Sequence, residues 1–236
     1  PDEVKDINVT MGYPVRLSGF AGLLSLVMEL CRRTTRPETG SIRFYHKYVS
    51  SILNHQMIRL SFANDCISVL SSITKENKIY LQQEEFLGNA IFKHIFSIPA
   101  TSIQMMEYLL QLCKLIVSYG SAGDEQKRIS DIEKENIYVL FTELTKLKDI
   151  LEKIPEQLSY DLTIKLITQV INRLTIPFEG EPLNGLQVMG LLETRTLDFE
   201  NIIVLSVNEG AVPKAVPPLS FVPYNLRKGF GLPTIE

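Results

Sequence analysis

The residues best placed to do chemistry lie between Leu186 and Pro213, in the stretch LQVMGLLETRTLDFENIIVLSVNEGAVP. It holds two short apolar runs, Leu186–Leu192 and Ile202–Val207, each bounded by polar residues. That is the pattern of strands buried on both faces of a parallel sheet. Between the runs lies Glu193-Thr194-Arg195-Thr196-Leu197-Asp198-Phe199, and after the second come Asn208-Glu209-Gly210 and Pro213. Open α/β sheets place ligand contacts just past the carboxyl ends of their strands. The same spacing also describes an ordinary strand–loop–strand edge that binds nothing.

The chemistry on offer is contact rather than catalysis. The sequence has no G-x-x-x-x-G-K-[ST], so it lacks the glycine-rich cradle and the lysine that hold nucleotide phosphates. It has no G-x-S-x-G elbow, no HExxH and no EF-hand loop. A PD-(D/E)xK nuclease site needs an Asp on one strand and a Glu-x-Lys on the next to hold Mg²⁺, and the strand-like runs lack both. The chain alone is therefore expected to catalyse nothing and to need no cofactor or metal.

The same stretch resembles motif V of the UvrD-type superfamily 1 helicases. There a Thr-x-His-x-x-Lys-Gly-Leu-Glu-Phe segment precedes a strand and an x-Glu-Gly-x-x-Pro turn. Here Arg195-Thr196-Leu197-Asp198-Phe199 stands for Lys-Gly-Leu-Glu-Phe, and Asn208-Glu209-Gly210-Ala211-Val212-Pro213 matches the turn. Leu192 replaces the motif's His, Gly190 its leading Thr, and Thr196 its Gly. Such degeneration resembles the AddB-type subunit of bacterial helicase–nucleases, whose helicase half keeps the fold without hydrolysing ATP. The segment Pro218–Pro233 and Asn8-Val9-Thr10-Met11-Gly12-Tyr13-Pro14 near the other end are similar to those subunits as well. Phe44–Val49 with Ile52–His55 resembles an AddB helix ending at His-Pro, with Gln56 in place of the proline. The likeness spans about the first 60 and the last 50 residues.

The resemblance implies a degenerate second RecA-like domain lacking a P-loop, a DNA-channel scaffold for double-strand-break repair and recombination. It implies single- or double-stranded DNA, a helicase partner subunit and the parent chain's own PD-(D/E)XK nuclease domain as partners. It also implies that Thr194, Arg195 and Thr196 lie against a DNA backbone. Arg195 would grip a phosphate through two N–H groups, and the hydroxyls would add hydrogen bonds. Arg195 paired with Asp198 or Glu193 in a solvated loop is the other reading. Asn208, in the matching turn, joins the candidate set. Lys214 extends the phosphate track or is plain surface charge, as is the Arg227-Lys228 pair.

Composition bounds these readings. The chain has 236 residues, 45% of them apolar and 22% charged, enough for a core and too balanced for disorder. The net charge is −3, so the surface as a whole is not a nucleic-acid face. Charge is unevenly spread: from Arg16 to Arg59 there are seven Lys/Arg against Glu29 and Glu38, a local +5. Cys31, Cys66 and Cys113 are far apart on apolar stripes, which predicts buried, reduced thiols of a cytoplasmic protein. No apolar run reaches the roughly 18 residues of a membrane span, and no leader is visible. The start at Pro1 without Met and the uncapped end suggest a piece of a longer protein.

The elements that must position the site follow from periodicity. Ile7–Met11 alternates as a strand does, ending at Gly12-Tyr13-Pro14. Ser18 is set to cap a helix running to about Thr34, with Phe20, Leu23, Leu24, Val27, Leu30 and Cys31 on one side. Helices are predicted over Phe44–Ile58, Ala63–Thr74, Gln83–Phe96, Thr101–Ser118, Glu125–Ile154 and Asp161–Leu174. The fifth carries two apolar stripes, so it should be the most buried, with Met105 and Met106 as core filling. His46 and His55 fall on different faces of one helix, which suits structural histidines better than a shared metal.

The order strand, helical block, strands predicts an α/β fold with a large all-α insertion. Residues 1–40 and 177–236 would form a discontinuous α/β domain, and 41–176 a helical insertion. Ile7–Met11 should lie parallel to Leu186–Leu192 and Ile202–Val207, with Gly12-Tyr13-Pro14, Glu193–Arg195 and Asn208-Glu209-Gly210 at one edge. The alternative is a helical protein–protein interaction module that touches no DNA.

Overall fold

The computed structural model of the chain describes residues 7–34, 41–121, 129–154, 156, 158–177, 185–191, 193–195, 197–208 and 223–231. It divides into two compact units, Pro1–Gly190 and Leu191–Glu236. The first unit is mostly helical and carries three two-stranded pairings. In chain order it runs β1 (Ile7–Val9), β2 (Tyr13–Pro14), α1 (Gly19–Arg33), β3 (Arg43–Tyr45), α2 (His46–Leu53), α3 (Gln56–Lys75) and β4 (Tyr80–Gln82). There follow α4 (Ala90–Ile95), α5 (Ser102–Ser121), α6 (Asp131–Lys153), α7 (Tyr160–Arg173), β5 (Thr175–Ile176) and β6 (Leu186–Val188). Among the described residues of the second unit, α8 (Tyr224–Gly229) is the regular element.

The core is built around α1. Its predicted apolar side is fully sealed: Phe20, Leu23, Leu24, Val27 and Leu30 expose no surface. Helices α2, α3, α6 and α7 all pack against it. The first N–H groups of a helix have no partner within it and are met by caps, other side chains or water. Ser18 accepts from Ala21 N at 3.1 Å, as its position predicts. The remaining amides are met from afar. Glu133, in the first turn of α6, accepts from Gly19 N at 2.8 Å and Phe20 N at 3.3 Å. A carboxylate at a helix N-terminus also faces the positive end of the helix dipole.

Helices α5 and α6 pack most extensively, and α5 buries one of its two predicted stripes, while Leu110 and Val117 of the other stay partly exposed, so α1 and not α5 is the most enclosed helix. Met105, Met106, Leu109 and Leu112 are fully enclosed, whereas Ile103, in its first turn, stays exposed. Gly120 lets the chain turn back, because a Cβ there would overlap the Ile129 side chain. Ser130 and Ser159 cap α6 and α7 through Glu133 N and Leu162 N. Cys31, Cys66 and Cys113 are buried and in no disulfide among the described residues, and burial pushes the Cys66 thiol up to about 11 and that of Cys113 to about 12. No described helix is long and apolar enough to cross a membrane.

Several sequence expectations are corrected. Phe44–Ile58 is not one helix. It begins as β3, becomes α2, and breaks at Asn54-His55, where Asn54 Nδ2 donates to Ser50 O at 2.9 Å. His55 turns extended and its Nδ1 accepts from Met57 N, so it caps α3. Gln83–Phe96 is a 3-10 turn at Gln83–Phe86 followed by α4, with Asn89 capping Ile91 N at 3.0 Å. β3 and β4 pair antiparallel in the register Phe44↔Leu81 and were not predicted at all. β2 pairs antiparallel with β5, which was not predicted either.

Two predictions arise from this core. Replacing Glu133 by Ala removes the acceptor of two α1 amides, that of exposed Gly19 and the partly buried one of Phe20. It should cost about 1–2 kcal/mol in urea unfolding, on the scale of a lost helix cap. A loss under about 0.3 kcal/mol would show that Ser18 suffices. The second concerns pH. Burial lowers the pKa of His55, with Glu133 pulling the other way. It also lowers that of His94, whose Nε2–H donates to Tyr108 O at 2.9 Å. Both histidines bind protons more readily unfolded, so their contribution is full above the unfolded value of about 6.5 and is lost as pH falls below it. The urea midpoint should be lower at pH 5.5 than at 7.5, and His94→Gln should narrow the gap. A midpoint that rises on acidification would refute this.

Candidate nucleic-acid interface

The expected sheet draws on strands that the sequence places at opposite ends of the chain. β1 and β6 pair in parallel, with Ile7↔Leu186, Asn8↔Gln187 and Val9↔Val188 in register. Thr10 N extends the ladder to Val188 O at 3.0 Å. Across the pair Asn8 Nδ2 donates to Gln187 Oε1 at 2.7 Å, a bond between residues 179 apart in sequence. Asn8 is buried and its Oδ1 has no hydrogen-bond partner among the described residues.

This much of the expected topology is present, but the strands are shorter and barer than predicted. β6 ends at Val188 rather than Leu192. Leu186 is 48% exposed and Ile7 61%, so neither strand is covered on both faces. Ile202–Val207 forms no strand. Its backbone makes no ladder bonds among the described residues, and Ile203 and Leu205 are 85% and 80% exposed. β-branched content signals strand propensity, but a strand exists only where a neighbour accepts its N–H and C=O groups. Ser206 adopts a left-handed φ of 57°, and Asn208 N closes a turn onto Ser206 O at 2.9 Å.

Of the candidate contact residues, Thr194, Arg195 and Asn208 are described, whereas Thr196 and Lys214 lie outside the described residues. Thr194, Arg195 and Asn208 belong to the second unit, and Gly12-Tyr13-Pro14 to the first. Thr194 Oγ1 donates to Leu191 O at 2.8 Å, and Leu197 N donates to Thr194 O at 3.3 Å, closing a tight turn. That first bond has a chemical consequence. Phosphate oxygens accept hydrogen bonds, and the Thr194 proton is already committed to Leu191. Arg195 is exposed and carries five donors in a fork that matches a phosphate. Its neighbours Glu193, Asp198 and Glu200 are exposed acids, so residues 193–200 hold three negative charges against one positive. The turn can present Arg195, but its own field opposes a phosphate.

Gly12 marks a close approach in the first unit: a Cβ there would come within 3.0 Å of Thr175 Cβ, which lets β2 lie against β5. His46 and His55 do structural work, His46 edge-on to Tyr45 with ring centroids 4.7 Å apart and His55 as the α3 cap. Among the described residues no group of three His, Cys, Asp or Glu side chains is arranged to hold a metal. One feature the sequence reading missed is the β3–β4 ribbon, which sets Tyr45 beside Tyr80. Its signal was the alternation in Arg43-Phe44-Tyr45, read above as the start of a helix.

Comparisons with protein families, with curated proteins and with solved structures find no match.

Amide hydrogen exchange checks the correction to the strand pattern. The amides of Ile203, Val204 and Leu205 should exchange at rates close to those of an unstructured peptide, and Thr10 N should be protected by its bond to Val188. Protection across Ile203–Leu205 matching that of Thr10 would restore the longer sheet.

Proposed function

We propose that the chain is a catalytically silent, helicase-like segment of an AddB-type helicase–nuclease subunit, serving as a DNA-channel scaffold in double-strand-break repair. The observation that carries the reading is the parallel pairing of β1 with β6. It joins the two ends of the chain that carry the helicase-like motifs and leaves a helical block between them, as a RecA-like domain with a helical insertion would. In this reading the sheet lacks a P-loop, binds no nucleotide and uses no metal, and the parent's nuclease domain and a helicase partner supply catalysis in the bacterial cytoplasm. Arg195 is the principal DNA contact in the motif V turn. Thr194 positions it, through the turn bond to Leu191, rather than touching phosphate itself. Asn208, Thr196 and Lys214 extend the contact.

A salt titration tests this. Fluorescence anisotropy with labelled single-stranded DNA should give an affinity that falls steeply between about 50 and 200 mM salt, as counterion release requires. Arg195→Ala should weaken binding about five- to tenfold at low salt and lower the salt slope by about 1, whereas Thr194→Val, which removes only the turn bond that positions Arg195, should weaken it about two- to threefold with the slope unchanged. A parent protein that shows no salt-dependent binding would instead favour a helical protein–protein interaction module.

A further inference from the structure

We propose that the β3–β4 ribbon and the start of α2 form a stacking platform for single-stranded nucleic acid. Strand alternation sorts the ribbon cleanly. Phe44 and Leu81 point inward and expose no surface. Arg43, opposite Gln82, and Tyr45, opposite Tyr80, occupy the outer face. There Tyr45 is the centre of a ring cluster. Its centroid lies 5.8 Å from Tyr80, 6.0 Å from Tyr48 and 4.7 Å from His46. Tyr80 is 58% exposed, so its ring is open to a ligand.

The outer face is held rigid from beneath. Phe44 packs edge-on to Phe86 at 5.9 Å and Phe96 at 5.2 Å, and those two rings stack at 3.7 Å. His46 N donates to Ile79 O at 3.0 Å, tying the start of α2 to the turn before β4. A ring fixed in place loses little freedom when a base stacks on it.

Charge selects the ligand. Lys47 Nζ sits 6.0 Å from the centroid of the Tyr45 ring, and both Lys47 and Arg43 are exposed. Among the described residues neither forms an ion pair. The nearby acids are different: Lys78 Nζ holds Glu85 at 2.7 Å and Glu76 at 3.2 Å. Glu84, on the 3-10 turn after β4, is the remaining exposed acid of this segment. Rings with uncommitted cations beside them match a ligand that alternates flat bases with phosphates. An apolar protein partner would leave Arg43 and Lys47 desolvated and unpaired, at a cost it could not recover. β3 and the start of α2 also lie within the Arg16–Arg59 stretch that carries a local positive excess, whereas β4, with Tyr80, lies outside it.

This inference rests on the nucleic-acid reading above but names a different surface, so one experiment separates them. The full chain is titrated against a fluorescein-labelled oligothymidylate of about 15 nucleotides, with Tyr80→Ala, Tyr80→Phe, Arg43→Gln and Arg195→Ala in parallel. Tyr80→Ala should weaken binding about 5- to 100-fold with the salt slope unchanged, and Tyr80→Phe, which keeps the ring, should match the parent. Arg43→Gln lies on the exposed face and leaves the Tyr45–Tyr80 pair intact; it should lower the salt slope by about 1. Loss with Tyr80→Ala but not Arg195→Ala supports the platform and rejects the motif V turn as the contact. If Arg195→Ala weakens binding while Tyr80→Ala and Arg43→Gln stay within twofold of the parent, the platform is overturned and the DNA reading stands. No binding by the parent at about 50 mM salt overturns both. Competition by poly-glutamate as strong as by oligothymidylate would make the patch an acidic-peptide site and overturn the proposal.

Discussion

The first unit depends on the enclosure of α1. A helix sealed on its apolar side gains a large hydrophobic return, and its first N–H groups carry a polar obligation. That obligation is met at a distance, because Glu133 reaches the α1 amides from a helix 114 residues further on. The contact therefore sets position as well as energy. It pins the start of α6 to the start of α1, and α5 follows because α5 and α6 are each other's closest helical neighbours. At the opposite end Arg32 pairs with Asp161 at 3.0 Å, but both side chains are well exposed. A surface pair of that kind contributes about 0–1 kcal/mol, so it tunes rather than fixes the arrangement of α1 and α7.

What the sequence made legible follows from the same asymmetry. Helix α1 could be read nearly to the residue, because Ser18 is a local cap and the apolar spacing is strict. α5 and α7 were equally plain from their long amphipathic patterns, whereas α6 starts at Asp131, behind the Ser130 cap, and not at the expected Glu125. The parallel meeting of Ile7–Val9 with Leu186–Val188 was also legible, from strand character at both ends of a helical block. The misses are of another kind. The β3–β4 ribbon is three residues long on each side and depends on a partner nearly 40 residues away. In a window that short, Phe44, Tyr45 and Tyr48 fit a helical stripe as well as an alternating strand. Likewise nothing local in Ile202–Val207 says whether a neighbouring strand is there to accept its backbone, and that decides whether it is a strand at all.

The β1–β6 pair is weakly supported for its type. Parallel strands are normally covered on both faces, and two-stranded pairs are marginal in water. Here Ile7, Leu186 and Val188 remain exposed, and the one side-chain bond across the ladder joins Asn8 to Gln187. Burying Asn8 with an unsatisfied Oδ1 costs stability that the short ladder can hardly return. Much of what holds β1 in place is therefore the chain that follows it. Tyr13–Pro14 pairs with Thr175–Ile176, and Val15 N donates to Leu174 O at 3.0 Å, so the β1 segment is tethered to the end of α7. The sheet is a consequence of the helical core more than a foundation for it.

Electrostatic range decides how a chain of net charge −3 can hold a polyanion. At physiological salt the screening length is about 8 Å, so a phosphate responds to the charges beside it and hardly to the total. By that measure the turn at residues 193–200 is a poor host, with Glu193, Asp198 and Glu200 about one arginine. The β3–β4 ribbon is a better one, because Lys78 draws Glu76 and Glu85 into its own ion pairs and leaves Arg43 and Lys47 unmatched. Lys78 is itself shaped by that role: hydrogen bonds to Glu85 and then Glu76 raise its pKa, while the same lysine helps hold the Glu85 carboxyl below its ordinary range against the opposing effect of burial. The Glu85 carboxylate is thus held charged and occupied by its lysine. With one lysine paired to two of its three acids, the ribbon segment is balanced, Arg43, Lys47 and Lys78 against Glu76, Glu84 and Glu85, where the 193–200 turn is net negative.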